Sequence, residues 1–339
     1  MSEEHTRVEW RAEVSSGWSL AATVHLPRPD QLPERPILLI CLPGSGYNRH
    51  YYDLREPGYS EAEQHVAAGM IVVALDALGV GESSLPTPHE SDKAAVARTT
   101  SEAVEQMREA LCSGTLCKGF PAIERPVTIG IGQSMSGYII ASTQARHRTF
   151  DGIAILGASM IEVTMPGLDG QAPVTAPEGL SGEEAALFLL ENTDWKFVFH
   201  WEDVPQHIID ADMRGGLPVR RTAPYWGSMT APGMIKTTTV PNSMADEAAR
   251  IDVPVLVAMG ERDVTKDPLE ELAAFPRAQD RAAFVVPRMA HMHNFAGTRR
   301  LLWSRIESFA RQVADLKFID CSEPHRTEPT MALIGGMST

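Results

Sequence analysis

The strongest constraint on this chain is the recurrence of short apolar runs between longer stretches of helical character. Pro36-Ile-Leu-Leu-Ile-Cys-Leu42 stops at Pro43-Gly44, and Met70-Ile-Val-Val-Ala-Leu-Asp76 stops at the polar turn Gly79-Val-Gly-Glu-Ser83. Val8 to Val14 and Leu20 to Leu26 precede them; Pro126 to Ile131, Gly152 to Leu156, Pro254 to Met259 and Ala282 to Val286 follow. Short apolar runs ended by turn residues read as buried strands. Between them Glu61 to Gly69 fits a short helix closed by its glycine. Asp92 to Cys112 has the length and few breakers of a long helix, and Leu301 to Leu316 is amphipathic. Eight strands alternating with helices predict an α/β fold, a mainly parallel sheet covered by helices on both faces.

The rhythm fails once. From about Met160 to about Ala249 no clean strand pattern occurs, Pro, Gly, Met and Trp are frequent, and only Glu183 to Glu191 has helical character. That is too long for a crossover loop and reads as a functional insertion after the sixth strand. The expected organisation is a core of residues 1–159 and 250–317, a cap or lid over 160–249, and a C-terminal extension over 318–339. A chain of 339 residues, 43% of them hydrophobic, can bury a core of that size. No internal repeat or low-complexity tract interrupts it.

The fifth apolar run leads into Gly132-Gln-Ser-Met-Ser-Gly137, after which Tyr138 to Ser142 begins a helix. Glycine and serine suit any sharp bend, so plain turn chemistry is one reading. The other is a nucleophile elbow, with Ser136 in place of the second glycine of the commoner G-x-S-x-G form. There the residues two before and two after the nucleophile must be small. Gly132 and Ser136 satisfy this around Ser134, whereas centring on Ser136 would put Tyr138 in a position with no room for it.

A serine hydroxyl needs a base and a carboxylate to orient that base. Pro254 to Met259 continues into Gly260-Glu-Arg-Asp263, which puts Asp263 at the carboxyl edge of the sheet, where open α/β folds bind ligands. Asp263 could instead cap a helix before Pro268, and Glu261 and Asp267 suit solvated or capping positions. The last run exits into Ala290-His-Met-His-Asn-Phe295, which offers two histidines. His291 is favoured as the base; His293 is left as a neighbour of the site, a pocket residue or a packed one.

With Ser134, Asp263 and His291 in that chain order, the sequence resembles the α/β-hydrolase family from about Leu20 to about Val313. Leu42-Pro-Gly-Ser-Gly46 is similar to the family's oxyanion loop, with Pro43 where a histidine often stands, and Asp76 to Ser83 is similar to its turn after the fourth strand. The resemblance implies that the backbone N–H groups of Ser45 and Met135 hold the oxyanion, and that no metal or organic cofactor is needed. It implies a serine hydrolase acting on an ester or related acyl bond. Amide, thioester, lactone or C–C bond hydrolysis and acyl transfer use the same parts, cofactor-free perhydrolysis is a conceivable side activity, and a non-catalytic ligand receptor could retain the scaffold. A serine rather than an aspartate nucleophile argues against haloalkane dehalogenation.

The loop Tyr47-Asn-Arg-His-Tyr-Tyr-Asp53 and the aromatics of the insertion nominate pocket residues: Tyr47, Tyr51, Trp201 and Trp226, with His293 beside them. Each could equally anchor its segment into the core. Trp195, Phe197, Phe199, His200, Trp201, His207, Tyr225, Trp226 and Met229 suggest an apolar cap over the site, which suits a small, largely apolar acyl or aromatic substrate. His200 and His207 are weak as metal ligands. Cys41, Cys112, Cys117 and Cys321 show no zinc spacing; a local Cys112–Cys117 bridge is conceivable, but free thiols are expected. A net charge of −14 argues against nucleic acid or anionic membrane as partners. The first residues lack a signal-like apolar core and no run spans a bilayer, so a cytoplasmic protein is expected, with a homodimer left open.

Overall fold

The computed structural model describes residues 5–217 and 220–322. Eight strands form one sheet: β1 (Thr6–Val14), β2 (Trp18–Leu26), β3 (Ile37–Leu42), β4 (Ile71–Leu75), β5 (Val127–Gln133), β6 (Gly152–Leu156) and, after a small hairpin of β7 (Thr164–Met165) and β8 (Val174–Thr175), β9 (Val255–Arg262) and β10 (Arg281–Ala290). Their spatial order is β1-β2-β4-β3-β5-β6-β9-β10. Only β2 runs against the rest, pairing antiparallel with β1 and β4, while every pair from β4 to β10 is parallel. Strands β3, β4, β5 and β6 are buried along their whole length, so both faces of the sheet are covered, which is why their sequences are unbroken apolar runs.

The covering helices are α1 (Glu61–Ala67), α2 (Lys93–Cys112), α3 (Met135–His147) and α9 (Arg299–Ser322). Helices α2 and α3 pack on each other, as do α1 and α9. Each early helix starts on a local signal: Ser60 Oγ accepts from Glu63 N–H at 3.0 Å, and Asp92 accepts from Ala95 N–H at 2.8 Å. Helix α9 runs to Ser322, past the expected end at Leu316, so the first residues assigned to the C-terminal extension continue it. Residues 323–339 of that extension lie outside the described residues.

Among the described residues between β6 and β9 lie five α-helices, α4 (Gly182–Asn192), α5 (Trp195–Phe199), α6 (Gln206–Met213), α7 (Ile235–Thr238) and α8 (Ala245–Ala248), besides the β7–β8 hairpin. The hairpin was not expected; two-residue strands are too short to leave an alternating pattern. Among the described residues no helix is long and apolar enough to cross a membrane.

Strand order fixes where a site can form. The chain moves from β3 to β4 on one side and returns to place β5 on the other, so the crevice at the carboxyl ends of β3 and β5 is a topological switch point. Leu42 pairs with Gly132 there, which brings the loop after β3 against the turn after β5.

Candidate active site

Ser134 occupies that crevice. It has φ 53° and ψ −123°, a conformation that L residues adopt only when surroundings enforce it. The enforcement is local: Ser134 N–H donates to Leu156 O at 2.7 Å, and Gly137 N–H to Ser134 O at 2.8 Å. Gly132 is required by close approach, because a Cβ there would lie 2.2 Å from Ser136 O. Ser136 is fully buried, and its hydroxyl donates to Pro43 O in the loop after β3. The serine that replaces the second glycine thus tethers the two turns that meet at the crevice.

Strand pairing brings the other two side chains together. Strands β9 and β10 are parallel with Arg262 opposite Ala290, so Asp263 and His291 follow directly on paired residues. The register shifts between Val286 and Ala290, where Pro287 lacks an N–H to give the ladder and Arg288 has φ 53°. His291 Nδ1 lies 2.6 Å from Asp263 Oδ1, and His291 Nε2 lies 2.9 Å from Ser134 Oγ. Gly157, with φ 56°, leaves space for this pair: a Cβ there would come within 3.1 Å of His291 Nδ1 and 3.2 Å of Asp263 Oδ1.

Asp263 is buried, and its oxygens accept four hydrogen bonds. Oδ1 takes His291 and Val264 N–H (2.9 Å); Oδ2 takes His293 Nε2 (2.7 Å) and Gly260 N–H (2.8 Å). Burial pushes this carboxyl up, but the charge and hydrogen bonding of His291 and His293 outweigh it and hold Asp263 well below the usual carboxylate range. An ionised Asp263 fixes the proton of His291 on Nδ1 and leaves Nε2 to accept from Ser134.

Ser45 and Met135 border the same cleft as Ser134 and His291. Met135 opens α3, so its N–H has no acceptor within the helix and is available at the crevice. The cleft, about 420 Å³, has an apolar wall of Val163, Met165, Leu187, Leu190, Trp195 and Phe199. All six come from the segment between β6 and β9. Tyr138, excluded from the elbow position for its size, borders the cleft from α3, and Val264 borders it beside Asp263.

Of the residues nominated for the pocket, none lines this cleft. Tyr47 is fully buried and donates its hydroxyl to Asp212 Oδ2 at 2.6 Å, while Trp226 Nε1 donates to Asp212 Oδ1 at 2.9 Å. Tyr51 is buried against Phe295, and its hydroxyl accepts from Asn294 N–H at 3.0 Å. These three anchor loops into the interior, the alternative that their aromatic character left open. Trp201 stacks over the Arg262 guanidinium in a separate depression, and His293 stands behind Asp263. Trp195, Phe199 and Met229, named with the other aromatic and apolar residues of the insertion as suggesting a cap, do border the cleft, whereas its aliphatic wall residues lie on short elements and were missed. For the aliphatic wall the sequence signal was the helical patch Glu183 to Glu191, now within α4, which supplies Leu187 and Leu190.

Among the described residues three charged side chains of the segment border the cleft, Glu183, Lys236 and Arg220. Arg220 is buried, donates Nε–H to Gly46 O at 2.9 Å, and pairs with Asp212 Oδ1 at 2.7 Å. His200 lies at 3.1 Å from Asp212 Oδ2, whereas His207 is exposed beside Glu56, so these two histidines do not converge. Among the described residues no group of three or more ligating side chains could hold a metal ion, and Cys41, Cys112 and Cys117 are unpaired.

A model of the alpha/beta hydrolase family matches residues 39–301. No curated protein matches the sequence. Among solved structures, an esterase from Exiguobacterium antarcticum aligns with a TM-score of 0.60 at 15% identity, over 91% of this chain and 100% of that one. A thermophilic esterase from Thermogutta terrifontis aligns at 0.58 and 15%, over 91% and 99%, and a proline iminopeptidase from Mycobacterium smegmatis at 0.59 and 18%, over 91% and 100%. At such identities the likeness speaks for the fold.

Proposed function

The chain belongs to the alpha/beta hydrolase family, and from that premise we propose that it is a serine hydrolase cleaving an ester or related acyl bond of a small, largely apolar substrate. The observation that carries the reading is the continuous chain of contacts Ser134 Oγ, His291 Nε2, His291 Nδ1, Asp263 Oδ1 at 2.9 and 2.6 Å, opening into an apolar cleft.

In this reading His291 takes the Ser134 proton as Oγ attacks the acyl carbon, and Asp263 stabilises the imidazolium. The developing oxyanion accepts from the N–H groups of Ser45 and Met135; one such donor is worth about 3 kcal/mol in the transition state. The imidazolium protonates the leaving group. Water, deprotonated by His291, then releases the acid and restores Ser134. The apolar wall supports an acyl chain or aromatic ring next to the reacting carbon. Two of the structural neighbours are esterases, which favours the ester; the proline iminopeptidase keeps amide cleavage within reach of the same scaffold.

The test is a fluorophosphonate probe read by intact mass, with turnover of nitrophenyl esters of increasing chain length. Labelling of the native protein but not of Ser134→Ala, with a fall in kcat of about 10⁴-fold or more in that variant, is the expected result. Labelling without ester turnover would move the substrate to another acyl bond. Binding of acyl compounds with neither labelling nor turnover would favour a receptor, and unchanged turnover by Ser134→Ala would overturn the assignment.

A further inference from the structure

Asp263 is shared by two imidazoles, and the proposed mechanism uses one. The second, His293, is 1% exposed and places Nε2 at 2.7 Å from Asp263 Oδ2; its Nδ1 is buried with no hydrogen-bond partner among the described residues. A proton on Nδ1 would be stranded, so the N–H belongs on Nε2, aimed at the carboxylate. We propose that His293 is a positioning residue: its Nε2–H, held on Oδ2, fixes the plane of the Asp263 carboxylate so that Oδ1 stays on His291. This rests on the reading of Ser134, His291 and Asp263 as the reacting set.

The backbone around His293 is built to hold it there. The preceding residues are fixed by His291 N–H donating to Val198 O at 2.9 Å and Met292 N–H to Phe199 O at 3.1 Å. Asn294, which follows, donates N–H to the Tyr51 hydroxyl and Nδ2–H to Glu61 Oε2 (2.7 Å), and accepts from Trp303 Nε1 (2.8 Å). His293 therefore approaches Asp263 from a turn anchored to three other parts of the chain. Without it, Oδ2 would keep only the Gly260 N–H, and the carboxylate could turn about its Cβ–Cγ bond. Partners of this kind orient a reacting side chain without touching substrate.

The titratable groups surrounding the pair are His291 from the end of β10, Tyr51 from the turn after β3, Tyr138 from α3, Glu61 from α1 through Asn294, and Arg262 beside Asp263. Within that set His293 alone donates to Oδ2 from a side chain among the described residues. A donor on Oδ2 draws electron density from the carboxylate and weakens its hold on the His291 proton. Losing it removes that withdrawal and also frees the carboxylate to turn from His291, so the acid limb of kcat/KM leaves its native position.

The experiment compares the native enzyme with His293→Leu and His293→Gln on a nitrophenyl ester, recording kcat, KM and the pH profile alongside the Ser134→Ala control. Gln places an amide N–H near the position of the imidazole Nε2. The expected result for His293→Leu is a fall in kcat of about 10- to 100-fold with KM little changed, the size typical of lost outer partners. Its acid limb should leave the native position. His293→Gln should recover most of kcat and return the limb toward the native position. Native kcat and an unmoved limb in His293→Leu would overturn the proposal, as would equal loss in Leu and Gln variants that melt like the native protein. Should His293→Leu fail to fold, His293→Asn, too short to reach Oδ2, replaces it: slower than Gln supports the proposal, equal to Gln overturns it. A fully active Ser134→Ala would sink the triad reading itself, whatever the His293 variants do.

Discussion

At the scale of single residues, the turn around Ser134 shows how a departure from a common pattern can do structural work. Ser136 stands where glycine is commoner, and its buried hydroxyl holds Pro43 O, so the loop bearing Ser45 is tied to the turn bearing Ser134 and Met135. Ser136→Gly would restore the commoner pattern and remove the tether. Both Ser136→Gly and Ser136→Ala are expected to lose about 1–2 kcal/mol in urea unfolding, because a buried carbonyl loses its donor. On the proposed function, loosening the Ser45 or Met135 donor should lower kcat more than it raises KM, by roughly tenfold. Unchanged kcat in both variants would show that the loop holds its shape without Ser136. Gly132→Ala acts differently: its Cβ would meet the Ser136 carbonyl at 2.2 Å, and backbone must move. On the proposed function, displacing Ser134 by about 1 Å is expected to cost on the order of 100-fold in fluorophosphonate labelling rate.

At the scale of elements, the eight strands were legible because buried parallel strands are written as continuous apolar runs, and α2 because its cap and length are local properties. Ser134, Asp263 and His291 were placed near one another by the same logic, since each follows a strand of one parallel sheet. The pocket was legible only in part: Trp195 and Phe199 stood among the insertion aromatics, but the aliphatic wall left no comparable mark. The segment between β6 and β9 is tied to the loop after β3 by a buried cluster: Asp212 and Arg220, eight residues apart, meet Tyr47 and Gly46 O, which lie more than 160 residues away. No periodicity announces such a contact, and two of the aromatics that drew attention, Tyr47 and Trp226, serve it. Burial would raise the Asp212 carboxyl, but His200, Arg220 and Tyr47 hold it below its ordinary value. Arg220→Met is therefore expected to cost about 3–5 kcal/mol, because it leaves a buried carboxylate without its cation. The double variant Asp212→Leu with Arg220→Met should cost clearly less than the two single losses added together. Additive losses in urea unfolding would show that the two side chains act independently.

At the scale of the whole molecule, the first and last covering helices are joined through a buried histidine. His65 of α1 lies 3.2 Å from Glu61 on its own helix and 3.1 Å from Glu307 on α9, while Glu61 also accepts from Asn294 beside His293. Sequence reading placed both helices but gave no sign of this link, because Glu307 is 242 residues from His65. Burial alone would lower the imidazole, but hydrogen bonds with Glu307 and Glu61, and their charge, raise it to about 9. In the unfolded chain the same group titrates near its ordinary 6.5. The folded form binds this proton more tightly, so the link stabilises the fold fully below about pH 6.5 and is lost as pH rises through about 9. The shift corresponds to about 3 kcal/mol. Urea unfolding of the native protein should therefore weaken by an amount of that order between about pH 6 and about pH 9.5. His65→Gln should be less stable at the acid end and nearly flat over the interval, so that the two curves converge as the medium becomes alkaline. Parallel curves would mean that His65 is uncharged in the folded state and that α1 and α9 are held by packing alone. Convergence would identify the ion pair as a pH-dependent clasp between the two ends of the fold, on the side of the molecule that supports the His293 turn.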